Sequence, residues 1–210
     1  MPAAHLAVDG VALRVRWAAP GGRGDDHLTA AERRRAARFR RPADAVRFVT
    51  GRLLARQAVA DLLGVPAGDV ELAARCPFCG GDDHGRPFVV GAGCRVSIAH
   101  SAGRAVAVAA AVPVGVDVEH LPGLAGLDGD GRLAAMVARL DGGGPAADAA
   151  AVAERWTRLE ALAKATGAGL AGPPPTPAQA AAARYVPLDL GADYRAVAAV
   201  LPAHGASEGR

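Results

Sequence analysis

Residues 104–119, "RAVAVAAAVPVGVDVE", constrain the fold more than any other stretch. The run is built from Ala and Val, and its β-branched residues suit extended backbone. Pro113 cannot donate to a ladder, so the run is predicted to be two strands joined near Val112–Pro113. Its uncharged part, residues 105–116, is too short to span a bilayer. Only 4% of the chain is aromatic, so its core must be made of Ala, Val and Leu.

Hydropathy and turn residues organise the rest. "AVDGVALRVRWAA" alternates as a first strand. "TAAERRRAARFR" opens a helix with Thr29 as N-cap and Glu32 three residues later, and Pro42 interrupts it. A longer helical run follows and stops at Gly64. "CPFCGGDDHGRP" has loop composition, and "RVSIAHS" is a strand. Mobile Gly- and Asp-rich loops are expected on either side of a short helix at "RLAAMVARL". "ERWTRLEALAKATGAGL" is a helix, "AGPPPTPAQAAAA" an exposed Pro-rich linker, and "ARYVPLDL" and "YRAVAAVLPA" the closing strands before a frayed "SEGR". "GRAVAVAAAVP" resembles "YRAVAAVLPA", and each follows a helix, which hints at two similar α+β halves.

The 210 residues suffice for a substantial core, with 51% hydrophobic and 21% charged residues. A net charge of +3 is too mild for a polybasic nucleic-acid binder. The positive charge is concentrated, with seven arginines in residues 33–47, either as a phosphate-binding cluster or as a solvated helix face. The N-terminus has neither a basic start nor an apolar h-region, and three cysteines do not form a disulfide framework. A cytoplasmic protein with reduced thiols is expected.

Two segments carry the chemistry. Asp117 and Glu119 stand at i and i+2 of a strand, on one face and about 7 Å apart, while Val114, Val116 and Val118 face the core. A divalent cation would relieve the repulsion between these carboxylates, and oxygen ligands favour Mg²⁺ over Zn²⁺. A solvated acidic strand end is the alternative. Trp156, Glu160 and Lys164 form a stripe at i, i+4 and i+8, beside the apolar Leu159, Leu162 and Ala163. A core Trp followed by a surface Glu–Lys pair would account for the same pattern.

Taken together, "GVDVE" and "WTRLEALAKATGAGL" resemble the 4'-phosphopantetheinyl transferase superfamily, whose signature is G-[VI]-D-[VI]-E followed by W-x-x-K-E-A-x-x-K-x-x-G-x-G-L. "GRP" at 85–87 and "SIAHS" at 97–101 resemble the G-K-P and N-x-S-H-S elements of its surfactin-synthetase type. The resemblance implies an α+β fold of two similar halves with the active site at their junction. Residues 1–111 would bind the coenzyme A phosphates, and residues 112–210 would carry the metal site and the catalytic helix. It implies a holo-[acyl-carrier-protein] synthase type of enzyme, in which a serine hydroxyl of an apo acyl or peptidyl carrier protein attacks the β-phosphate of coenzyme A and 3',5'-ADP leaves. Asp117, Glu119 and Glu160 would hold Mg²⁺. Lys164 would contact the transferring phosphate, Glu160 or else Glu119 would be the base, Arg86 and His100 would contact coenzyme A phosphates, and Arg35 and Arg47 would surround its adenosine end. A monomer is expected, with no membrane or nucleic-acid partner.

Three segments depart from the family pattern at four positions: Leu159 where Lys is usual, Ser97 and Ala99 in "SIAHS", and Glu32 where a basic residue is expected. A relative that binds carrier proteins or coenzyme A with little turnover is an alternative reading. In the cysteine loop, Cys76, Cys79, His84 and Cys94 are spaced C-x2-C-x4-H-x9-C, a candidate structural zinc set. That loop and the arginines would also suit a small zinc-knuckle nucleic-acid-binding protein, but stacking aromatics are scarce.

Overall fold

The computed structural model describes residues 1–21, 27–127, 131–144, 146, 148–169 and 171–203. Leu170 and residues 207–210, the expected frayed end, lie outside the described residues, as do residues 128–130, 145 and 147 of the expected mobile loops. Within the described residues the protein is mixed α+β, with six α-helices and three antiparallel sheets.

The first sheet has the order β1-β2-β6-β5, from β1 (Ala3–Val8), β2 (Val11–Ala18), β5 (Arg95–Ser101) and β6 (Arg104–Ala110). The stretch read as one initial strand is thus a hairpin. Asp9 and Gly10 turn it with φ of 47° and 79°, the geometry that an Asp-Gly pair accepts at little cost. The ribbon β3 (Leu72–Arg75) and β4 (Arg86–Val89) flanks the cysteine loop, whose "GRP" therefore begins a strand. The last sheet has the order β7-β9-β8, from β7 (Val114–His120), β8 (Arg184–Pro187) and β9 (Tyr194–Val200).

Helix α1 (Ala30–Ala37) begins at the Thr29–Glu32 capping box. Pro42 starts α2 (Pro42–Leu63), because a first-turn residue has no intrahelical N–H bond to lose, and Gly64 ends it at φ 72°. After α3 (Leu121–Leu127) and α4 (Arg132–Asp141) comes α5 (Ala149–Thr166), capped by Asp148, whose side chain accepts from Ala151 N at 2.8 Å. The Pro-rich stretch read as a linker contains α6 (Pro177–Ala182), started by a Thr176–Gln179 capping box. Among the described residues no helix is long and apolar enough to cross a membrane.

Strand alternation organises the core. On β6, Ala105, Ala107 and Ala109 face α2 together with Leu54 and Val59. Val106, Val108 and Ala110 of the same strand join Leu13, Val15, Val116 and Val118 in a central cluster shared by the two larger sheets. On β9, Ala196, Ala198 and Val200 belong to that central cluster, while Val197 and Ala199 pack on Ala161, Leu162 and Ala165 of α5. Small residues face the helices, so the helices can sit close. The strands of the first sheet end at Ala110 and those of the last begin at Val114, yet the core of the two sheets is common.

Gly115 is where α5 approaches most closely. A Cβ there would lie 1.9 Å from the carbonyl oxygen of Ala161 and 2.6 Å from the nitrogen of Ala165. Only glycine lets the helix backbone lie directly on β7 at this point. The other edge of β7 meets β5 through serine hydroxyls: Ser97 Oγ accepts from Val116 N and Ser101 Oγ from His120 N, each at 3.1 Å.

Candidate active site

The close seat of α5 on β7 brings strand and helix carboxylates together. One oxygen from each of Asp117, Glu119 and Glu160 lies within 4.8 Å of the others. Asp117 Oδ1 accepts from Lys164 Nζ at 2.6 Å, and Glu160 Oε2 lies 3.2 Å from the same ammonium. Both Glu119 oxygens have partners at 3.0 Å: Trp156 Nε1 donates to one and Ser101 Oγ to the other. The Trp156–Glu160–Lys164 stripe therefore meets the carboxylate cluster along its length, because Trp156 holds Glu119. Asp117 Oδ2 is buried with no hydrogen-bond partner, which normally costs free energy.

The charge states follow from this crowding. Burial pushes the Asp117 carboxyl up to about 8; Glu160 and Glu119 push the same way, against the pull of Lys164. Burial likewise raises Glu119, although Ser101 and Trp156 oppose it. Burial works to lower Lys164, but Asp117 and Glu160 overcome it and hold the ammonium above its ordinary value.

The facing wall of the cavity, which measures ≈ 340 Å³, is cationic. It contains Arg35, Arg47, Arg52 and His100, with Phe48 among them. The guanidinium carbons of Arg35 and Arg52 stand 5.2 Å and 5.4 Å from the Phe48 ring centre. Arg47 pairs with Asp44. Desolvation, followed by the effect of Arg47 and Lys164, lowers the His100 imidazole below its usual value. Arg52 is pulled down to about 10, chiefly by burial.

Arg52, Phe48, Ser101 and Trp156 are site residues that the sequence reading did not assign. One signal was available for two of them: Phe48, Arg52 and Arg56 follow each other at i, i+4 and i+8 on α2, one turn beyond the arginine cluster. Glu32, the expected departure, is the shared counter-ion of the buried Arg52 and Arg56, at 3.3 Å and 2.6 Å. A basic residue at that position would put three cations together.

Arg86 stands apart from this wall. It lines an adjoining cleft of ≈ 420 Å³ with Ser97, Gly167 and Ala168, and the two clefts share Lys164, Gly85, Pro87 and Ile98. Its guanidinium lies on Gly167, where a Cβ would come within 2.2 Å of it. Ser97 is buried and occupied with the β7 backbone, and Ala99 lines the main cavity. Leu159 faces a separate apolar groove with Leu140, Pro174 and Pro175, so a lysine there would begin on the wrong side of α5.

In the β3–β4 loop, Cys76, Cys79 and His84 come together. Cys94 does not join them. It is buried in the α2 cluster with Leu54 and Val59, because strand β5 carries it into the core. The three cysteines are free.

No protein-family model and no curated protein matches the chain. The chemistry is therefore read from the site. A pocket lined by both guanidinium groups and three carboxylates suits a polyanion that carries a divalent cation. The buried, unpartnered Asp117 Oδ2 fits the role of a cation ligand, and the all-oxygen donor set suits Mg²⁺.

Proposed function

We propose that this protein is a 4'-phosphopantetheinyl transferase, moving the phosphopantetheine group of coenzyme A onto a serine of an apo carrier protein, acyl or peptidyl. The observation that carries the reading is the gathering of Asp117, Glu119 and Glu160, from the two signature segments, opposite a wall of arginines in one cavity. The division of labour would follow the chain, with phosphates held by residues 1–111 and the reaction centre in residues 112–210. The matching strands β6 and β9, each shared between the central cluster and its own helix, support two similar halves.

In the proposed reaction the serine oxygen forms a bond to the β-phosphorus of coenzyme A. The bond from that phosphorus to the bridging oxygen breaks, and 3',5'-ADP leaves with the electron pair. Mg²⁺ held by Asp117, Glu119 and Glu160 would supply charge neutralisation on the pyrophosphate. The serine proton would pass to the Glu160 oxygen not engaged by the metal, directly or through a water. Glu119 is less suited as base because both its oxygens already accept hydrogen bonds, whereas Lys164 is the one polar partner of the Glu160 side chain among the described residues. Lys164, between Asp117 and Glu160, is placed to carry phosphate charge. Arg35, Arg47, Arg52 and His100 would hold the remaining phosphates, and Arg86 would act from the adjoining cleft.

The test is incubation with coenzyme A, Mg²⁺ and a panel of apo carrier proteins, read by intact mass. Gain of a phosphopantetheine mass on at least one carrier is expected. No gain on any carrier, with folded protein and Mg²⁺ present, overturns the reading.

A further inference from the structure

The β3–β4 loop has no part in the proposed transfer chemistry, yet it is built around three soft ligand atoms. Cys79 Sγ lies 3.3 Å from His84 Nε2, and Cys76 completes a group whose ligand atoms are all within 4.8 Å of one another. Two ligands on one tetrahedral zinc stand about 3.5 Å apart, given Zn–S near 2.3 Å and Zn–N near 2.0 Å, so this spacing needs little adjustment.

The backbone holds the arrangement. Cys76 N donates to Gly81 O at 2.8 Å, and Gly80 N donates to Cys76 O at 3.0 Å, closing a tight turn through Gly80 at φ 72°. Gly81 N donates to Cys79 Sγ at 3.4 Å. Gly85, at φ 91°, passes so close to the start of the loop that a Cβ would lie 2.4 Å from Arg75 O. That close approach returns His84 to the cysteines. The other imidazole nitrogen is also committed: His84 Nδ1 lies 2.6 Å from Asp83 Oδ1, which leaves Nε2 facing the sulfurs. A carboxylate behind a ligand histidine is the arrangement that orients and strengthens metal-binding imidazoles.

We propose that this loop is a zinc site whose protein ligands are Cys76 Sγ, Cys79 Sγ and His84 Nε2, with water in the fourth position. Cys94 is excluded by its burial in the α2 cluster. Two thiolates and a neutral imidazole balance the charge of the ion. The site also reaches α1: Asp83 O accepts from Arg35 Nη1 at 2.6 Å, and Asp83 Oδ2 accepts from Arg38 Nη1 at 2.5 Å. Zinc thus fixes His84, His84 fixes Asp83, and Asp83 holds Arg35 at the cavity wall. The site stands independently of what that cavity binds.

The test is the zinc content of the full chain purified from zinc-replete cells. About one zinc per chain is expected in the wild type and in Cys94→Ser, and almost none in Cys76→Ser, Cys79→Ser or His84→Ala. Asp83→Asn should keep the stoichiometry and weaken zinc about 10–100-fold in competition with a chelating dye. Alkylation of the wild type covers the case in which the cysteine variants do not fold. Cys79, which is exposed, should resist iodoacetamide when zinc is present and react after chelation. Zinc-free wild type, equal Cys79 alkylation with and without chelator, or loss of zinc in Cys94→Ser as complete as in Cys76→Ser would each overturn the proposal.

Discussion

Two charge clusters reach the same cavity, the first through Arg52 and the second through Asp117, Glu119, Glu160 and Lys164, and they are unfinished in opposite senses. In the first, one carboxylate, Glu32, serves two guanidinium groups, Arg52 and Arg56, and Arg52 Nη1 is left buried without a partner. In the second, one ammonium, Lys164, serves Asp117 and Glu160 while Glu119 is held by Trp156 and Ser101, and Asp117 Oδ2 is left without a partner. The first has one more guanidinium than carboxylate, and the second has three carboxylates to one ammonium. A structural ion pair would satisfy all its atoms, because leaving them unsatisfied is costly. The difference is one of sign: the surplus is cationic beside Glu32 and acidic beside Lys164, as the proposed phosphate wall and cation site would require.

The comparison breaks most visibly at Glu32. Glu32→Ala leaves two buried guanidinium groups without their counter-ion, and should cost about 3–5 kcal/mol in urea unfolding. A loss under about 1 kcal/mol would mean that the arginines find other partners.

Asp117→Asn should do the reverse. Transfer should fall on the order of 10²–10³-fold, while stability holds or rises, because a crowded carboxylate is removed. The folded Asp117 carboxyl keeps its proton up to about 8, well above its ordinary 3.8. Its contribution to the metal-free fold is therefore full below the ordinary value and is lost as pH rises through about 8. Melting curves across that window should slope for the wild type and flatten for the variant. Near-normal transfer by Asp117→Asn would remove this residue from the cation site.

Arg47 tests the cationic wall without disturbing the Glu32 cluster. Arg47→Ala should weaken coenzyme A by about 10–100-fold, the value of a charge-assisted hydrogen bond, and binding should weaken further with salt. Calorimetry showing salt-independent binding, unchanged by the substitution, would make the arginines a solvated face.

Gly115→Ala sharpens the comparison from the side of the backbone. The added methyl must push α5 off β7, at about 1–3 kcal/mol, and transfer should suffer more than stability because Glu160 moves with the helix. Equal activity at reduced stability would show that the carboxylates tolerate a wider spacing.

The smallest effect should come from His100. Burial holds the His100 imidazole below its ordinary value, so coenzyme A affinity should rise only as pH falls below that ordinary range and the ring charges. His100→Asn should remove that few-fold rise, which is the size of one partly screened charge. An identical pH profile for both proteins would place His100 outside the phosphate contacts.

Local chemistry made much of this legible in the sequence. The caps at Thr29 and Gly64, the break at Pro113, the i/i+2 pairing of Asp117 with Glu119 and the i/i+4 pairing of Glu160 with Lys164 depend on neighbours a few residues away. The first hairpin looks like a single strand in the sequence because Asp9–Gly10 interrupts an alternation that resumes after the turn. The helix in the Pro-rich stretch is hidden from composition because its prolines lie before the helix or in its first turn, where they are tolerated.

The sequence by itself determined which side chains share a face of β7 and of α5, because strand and helix periods are local geometry. Only the tertiary structure decided that those faces meet, through a glycine with α5 backbone against it. It also decided that Arg52 turns to the cavity while Cys94 leaves the cysteine loop for the core. Those outcomes depend on groups far apart in the chain, and their burial is set by packing that no local pattern records.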